Sequence, residues 1–143
     1  MKKIFWPVLI IALVTLVCLS YAFGKQSAQN GYVLEHEKDI AKEEPGPHNG
    51  GGPSVGYSFF SKATGLKLVF LKRLLKPGAA IGYHLQTGDE IYYVVSGEGI
   101  MKMNGETFTV HAGDAILTRA GSSHGLQQTG REDLILIVNY AAK

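Results

Sequence analysis

The sequence is poor in cysteine, in net charge and in helical periodicity, and each shortage excludes something. Cys18 is the only cysteine in 143 residues, so no disulfide framework can be drawn from it. Lys and Arg number 14 against 12 Asp and Glu, and two of the 14, Lys2 and Lys3, stand at the extreme N-terminus. Without residues 1–22 the balance is 12 to 12. Such neutrality excludes a nucleic-acid partner, which requires a dense cationic face. No segment keeps a 3.6-residue apolar period, and no internal repeat is visible. Neither a Ser-His-Asp nor a Cys-His set is evident, which sets aside those two forms of nucleophilic catalysis.

What is present begins with an N-terminal export pattern. Lys2 and Lys3 precede an uncharged apolar run from Ile4 to Leu19, followed by small residues around Ala22 and Gly24. A positive start, an apolar middle and small residues at the end describe a secretory signal peptide, expected over residues 1–22 with cleavage after Ala22 or Gly24. The alternative is an uncleaved anchor, because residues 4–23 are long enough to cross a bilayer. Cys18 is preceded by Thr15-Leu16-Val17, which lacks the Leu and the small residue of a lipid-attachment site. An exported, periplasmic or secreted protein follows, whose core must hold without a disulfide.

Residues 23–54 are polar and charged, then dense in Gly and Pro from Pro45 to Pro53. They are expected to form an N-terminal arm, extended or loosely ordered, that holds neither a helix nor a central strand over its Gly/Pro stretch. From Val55 to Lys143 the pattern becomes nine short apolar runs: 56–60, 66–75, 80–86, 91–96, 99–103, 107–111, 115–118, 126–129 and 134–140. Gly-rich turns separate them, and Asn104-Gly105 is a strong two-residue hairpin signal. The expected class is all-β, a single barrel or sandwich domain. Ile91–Val95 and Leu134–Val138 are apolar at every position, which calls for a covering arm or a second copy of the chain.

The polar residues worth attention sit in "GYHLQTGDEIYY". His84 and Gln86 are two apart and share a face at strand spacing, and Glu90 returns after the Thr87-Gly88-Asp89 turn as in a hairpin. Buried together they would each need a partner, and a divalent cation suits an imidazole nitrogen, an amide oxygen and a carboxylate at once. His124, in "RAGSSHG", is a candidate fourth ligand. On spacing alone, a metal site and a set of hydrogen-bonded core residues both remain open. Tyr92 and Val94 share the parity of Glu90, whereas Tyr83 and Leu85 face the other way. Met101, Met103, Phe108 and Leu117 are read as core or pocket wall. His36, His48 and His111 are read as solvated, with His48 within reach of the site if the arm lies over it.

Gly78-x5-His84-x-Gln86-x3-Glu90-x6-Gly97 resembles the first signature of the cupin superfamily, and Gly113-x5-Arg119-x-Gly121-x2-His124-x3-Gln128 resembles the second. The resemblance implies a double-stranded β-helix, or jelly-roll barrel, that binds one divalent metal, with zinc, nickel, iron and manganese all open. It carries His84, Glu90 and His124 over as ligands. Gln86 stands where the family has a second His, Arg119 where it has Pro, and Gln128 where it has Asn. A weaker amide donor at position 86 implies lower affinity for late transition metals and more open coordination; the alternative is an amide that orients a bound water. Arg119 is a candidate clamp for a substrate carboxylate or, equally, the partner of a surface acid in a salt bridge, and Glu90 and Tyr92 are the candidate acid/base groups.

Function is thus expected to be metal-dependent chemistry of isomerase, lyase or dioxygenase type on a small polar or carboxylated molecule. The alternatives are a non-catalytic module for a small ligand or carbohydrate, and a barrel whose polar residues bind only water. A homodimer is expected from the two-faced apolar strands and from the family's habit.

Overall fold

The computed structural model describes residues 31–142, so the expected signal segment and Cys18 lie outside the described residues. The chain divides into two compact units at Leu34 and Glu35. Only Gly31 to Leu34 of the first are described, without regular structure. The second holds one helical turn, α1 (Glu37–Ile40), and ten strands. They are β1 (Ala41–Pro45), β2 (Pro53–Phe59), β3 (Leu68–Leu75), β4 (Ala80–Leu85), β5 (Glu90–Ser96), β6 (Glu98–Met103), β7 (Glu106–His111), β8 (Ala115–Thr118), β9 (Ser123–Gln128) and β10 (Leu134–Ala141).

The strands form two sheets, ordered β1-β2-β3-β10-β5-β8 and β4-β9-β6-β7. Alternation drives the assembly: along β5, Tyr92 and Val94 are buried while Ile91, Tyr93 and Val95 are exposed. Inward residues of both sheets meet in one core, including Leu75, Val94, Met101, Leu126, Leu134 and Leu136. Burying each such leucine contributes about 2 kcal/mol, which is how the fold holds without a disulfide. Asn104 and Gly105 both have positive φ, 50° and 94°, the pair that a tight β6–β7 hairpin requires.

Three features differ from the reading of the sequence. The stretch from Gly82 to Gly99 is not a hairpin. β4 pairs with β9, and β5 pairs with β8 and β10, so the Thr87-Gly88-Asp89 turn carries the chain between sheets. Secondly, the described part of the expected arm is ordered. β1 is the outer strand of the larger sheet, paired with β2 from Ala41↔Tyr57 to Pro45↔Pro53, and the expected boundary at Val55 falls inside β2. Thirdly, the outward row Ile91, Tyr93 and Val95 remains 46–47% exposed, with Leu117 beside it at 51%. No arm covers that row among the described residues.

Between β1 and β2 the Gly/Pro segment runs along the free edge of β4. Gly82 N donates to Pro47 O at 2.9 Å, and Ala80 N donates to Gly51 O at 3.1 Å. Edge N–H groups of β4 are thereby satisfied by a strap rather than a strand, which also shields the edge from pairing with another chain. Glycine makes this contact possible. A Cβ on Gly50 would lie 2.0 Å from Ala80 O, and one on Gly82 would lie 1.9 Å from His48 O.

The outer strands are tied down by charge. Arg73 Nη1 donates to Glu44 Oε1 at 2.7 Å, and Lys42 Nζ lies 2.9 Å from Glu44 Oε2. The hydrogen bonds from Lys42 and Arg73 hold the Glu44 pKa below its ordinary value. A carboxylate lowered in this way stabilises the fold above the ordinary carboxylate range, and the contribution disappears as pH falls through the lowered value. Glu44→Gln is therefore expected to cost about 1 kcal/mol near neutrality. Denaturant melts should show the deficit at about pH 7 and little of it at about pH 3; an equal deficit at both would contradict the assignment.

Candidate metal centre

Glu90 opens β5, with Thr118 of β8 on one side of it in register and Tyr140 of β10 on the other. Its side chain is buried, and Oε2 lies 3.2 Å from His124 Nε2. His124 belongs to the opposite sheet, where β9 pairs it with His84 of β4. The two imidazole centroids are 4.4 Å apart at 56°. One donor atom from each of His84, Glu90 and His124 lies within 4.8 Å of the others.

A bulge in β4 aims His84. Ile81 pairs with Leu126 and His84 with His124, so Gly82 and Tyr83 together stand opposite Gly125. The extra residue turns His84 to the side that Ile81 takes in the core, whereas unbroken alternation would put the two on opposite faces. Gly82 has a second use, since its carbonyl O is 2.8 Å from His84 Nδ1. A carbonyl only accepts, so Nδ1 carries the proton and Nε2 keeps the lone pair that a metal would take.

Tyr92, one inward step along β5 from Glu90, places its hydroxyl 3.0 Å from His124 Nε2. Burial, then the Glu90 charge and a hydrogen bond to it, hold the phenol well above its ordinary pKa. Tyr92 is thus a neutral hydroxyl at physiological pH, a donor that adds no negative charge. Burial, then the Glu90 charge, also raises Tyr140.

The chemistry of the donor set fits a cation. Glu90 Oε2, His124 Nδ1 and Thr118 Oγ1 are buried without a hydrogen-bond partner among the described residues. Glu90 Oε2 and His124 Nε2 lie 3.2 Å apart but without hydrogen-bond direction. Buried polar atoms are paired in the great majority of cases, so a cluster of unmatched ones around two imidazoles and a carboxylate points to a bound group. Ligand distances of about 2.0–2.3 Å place neighbouring donors about 3–4.6 Å apart. The observed spread needs only a slight contraction.

The other expected residues divide. Gln86 lies just beyond β4, partly buried, with its backbone bonded to Ser122 O and Gly121 N at 2.8 Å each. Arg119 is 70% exposed and pairs with Asp89 at 2.9 Å; the structure does not bring it to the His84, Glu90 and His124 group. Phe108 and Leu117 are 42% and 51% exposed and so lie outside the core, while Met101 is core. Gln128 is buried and stitches two loops, accepting from Gly78 N and donating to Gly130 O and Glu132 O.

One residue was missed and another was read only in part. Thr118 looks like an ordinary strand residue until its register with Glu90 is known. His48, read as a solvated loop residue within reach of the site, is exposed and also stacks on His84, with centroids 3.5 Å apart and planes at 5°. Its signal was the glycine density around it, which marks close backbone approach.

Comparison with known proteins agrees with this geometry. The Cupin domain family matches residues 72–140. An oxalate-binding protein of Thermotoga maritima is 40% identical over 67 residues, which is 46% of this chain and 55% of the relative. The chain thus spans about half the length of the curated relative it matches. A solved structure from Thermotoga maritima, described as a predicted oxalate decarboxylase, superposes with a TM-score of 0.70 at 29% identity. That match covers 78% of this chain and 100% of the other. The polyketide cyclase RemF from Streptomyces resistomycificus shares the fold alone, with a TM-score of 0.65 at 19% identity over 78% of this chain and 80% of its own. Two facing antiparallel sheets, the two glycine-spaced signatures and the match over residues 72–140 establish this chain as a member of the cupin superfamily with a single cupin domain.

Proposed function

We propose that this protein is an exported, metal-dependent cupin that takes a small carboxylated molecule, with a dicarboxylate of the size of oxalate as the leading candidate. The observation that carries the reading is the convergence of His84, Glu90 and His124 donors within 4.8 Å at a buried site. Gln86 completes the set, directly or through a water, as the weaker fourth donor. A divalent ion with one carboxylate ligand keeps net positive charge, and the neutral Tyr92 phenol does not oppose an incoming anion. When bound, the metal supplies Lewis-acid polarisation of the ligand's carboxylate oxygens. The protein's own contribution is to exclude water, to hold His84 in one tautomer, and to offer the Tyr92 hydroxyl as a donor. The descriptions of the Thermotoga maritima matches support oxalate and divide on chemistry, between an oxalate-binding protein and a predicted oxalate decarboxylase. A non-catalytic oxalate-binding module is therefore the second reading. The protein would also act as a homodimer, joined through the outward row Ile91, Tyr93, Val95 and Leu117.

Protein purified without chelator is expected to carry about one divalent metal per chain. His84→Ala and His124→Ala should each lose it, and Gln86→His should bind zinc or nickel at least tenfold more tightly. Full occupancy in both alanine variants would end the proposal.

Oxalate should bind the metal-loaded protein and not the metal-free protein by calorimetry. Carbon dioxide release would then select the enzyme over the binding module. Binding that is indifferent to metal would contradict both.

Light scattering should give twice the chain mass, and Val95→Glu should give the chain mass with the fold retained. A monomeric wild type would overturn the interface.

A further inference from the structure

We infer that His48 is a positioning residue for the metal centre: the glycine strap seats its imidazole flat against His84 and so fixes the plane in which His84 presents its lone pair. The inference rests on the reading of His84 as a ligand. Three independent observations point the same way. The rings are stacked at 3.5 Å and 5°, close enough that the His84 ring cannot turn without displacing His48. The strap is held to β4 by hydrogen bonds on both sides of His48, from Gly82 N to Pro47 O and from Ala80 N to Gly51 O. A further bond, from Gly50 N to Pro47 O at 3.0 Å, closes the turn that carries it.

The backbone supplies the third. His48 and Asn49 have φ of 54° and 59°, in the left-handed region, followed by Gly51 and Gly52 at 75° and 72°. Non-glycine residues in that region are uncommon and persist where the surroundings enforce them. Here the enforcing contacts are those with β4, where Gly50 and Gly82 have no room for a Cβ. Position 84 therefore has its ring set on two sides. Gly82 O fixes the tautomer through Nδ1, and His48 fixes the plane. A site with an amide in place of one imidazole has fewer strong donors, so the orientation of those that remain weighs more on affinity.

The test compares His48→Ala, which removes the ring, with His48→Phe, which keeps a flat ring and removes both nitrogens. Competition with a chromophoric chelator should show His48→Ala binding cobalt(II) at least tenfold more weakly, with a changed visible spectrum. His48→Phe should return affinity to within about threefold and restore the spectrum. Gly50→Ala, which keeps the His48 side chain but displaces the strap that seats it, should resemble His48→Ala. Unchanged binding in His48→Ala would overturn the inference. So would His48→Phe binding as weakly as His48→Ala, since the nitrogens rather than the ring would then be what matters. A readout without metal separates this from failure of the metal reading. In metal-free protein at about pH 8, nitrogen-15 spectra should show His84 as a single Nδ1-protonated tautomer in wild type and His48→Phe. His48→Ala should show a mixture, because a ring free to turn loses its Nδ1 bond to Gly82 O, and a single tautomer there would also count against the proposal.

Discussion

A carboxylate buried in an apolar barrel is the constraint on which the rest of this structure turns. Removing a charged group from water is costly unless a partner meets it inside, and Glu90 is buried between two strands with Tyr92, Thr118 and His124 around it. The protein offers it contacts but incomplete hydrogen bonding, and two more polar atoms nearby are likewise unmatched. In a core that is otherwise close-packed leucine, valine and methionine, these atoms are concentrated at one place. The sheets are built so that they meet: β5 brings the carboxylate from one side, and β4 and β9 bring the imidazoles from the other.

Two backbone devices set the geometry. The bulge at Gly82 and Tyr83 re-aims His84 and supplies the carbonyl that fixes its tautomer. The strap from Gly46 to Gly52 occupies the edge of β4 and brings a third imidazole against the second. Both depend on glycine, because at these points one chain passes too close to another for any Cβ. The Gly/Pro segment is thus part of the domain's edge and of the wall of its site.

Much of this was legible in the sequence. Short apolar runs between glycine-rich turns marked nine of the ten strands, and Asn104-Gly105 marked its hairpin, because run length and turn chemistry are local properties. His84, Glu90 and His124 could be singled out because polar residues at inward positions are rare and because they lie in two spaced signatures. What failed was non-local. The Gly82–Gly99 stretch reads as a hairpin because nothing in it records that β4 and β5 choose partners elsewhere. β1 was missed since "AKEEP" carries charge at an exposed edge, where a strand needs only one neighbour and little apolar surface. The stacking of His48 on His84 could not be read because its neighbours predict a turn, and only the approach of β4 gives that turn a surface to lie on. Arg119 lies within the second signature, and of its two expected roles the structure shows the surface salt bridge, to Asp89.

The central claim is that two imidazoles and one carboxylate of this chain hold a divalent metal, with His48 stacked on a ligand rather than serving as one. X-ray absorption at the edge of the native metal tests it most directly, because imidazole rings leave a countable multiple-scattering signature. The account predicts two imidazoles, with oxygen donors filling the remaining positions. A count of three or more imidazoles, or of none, would contradict it.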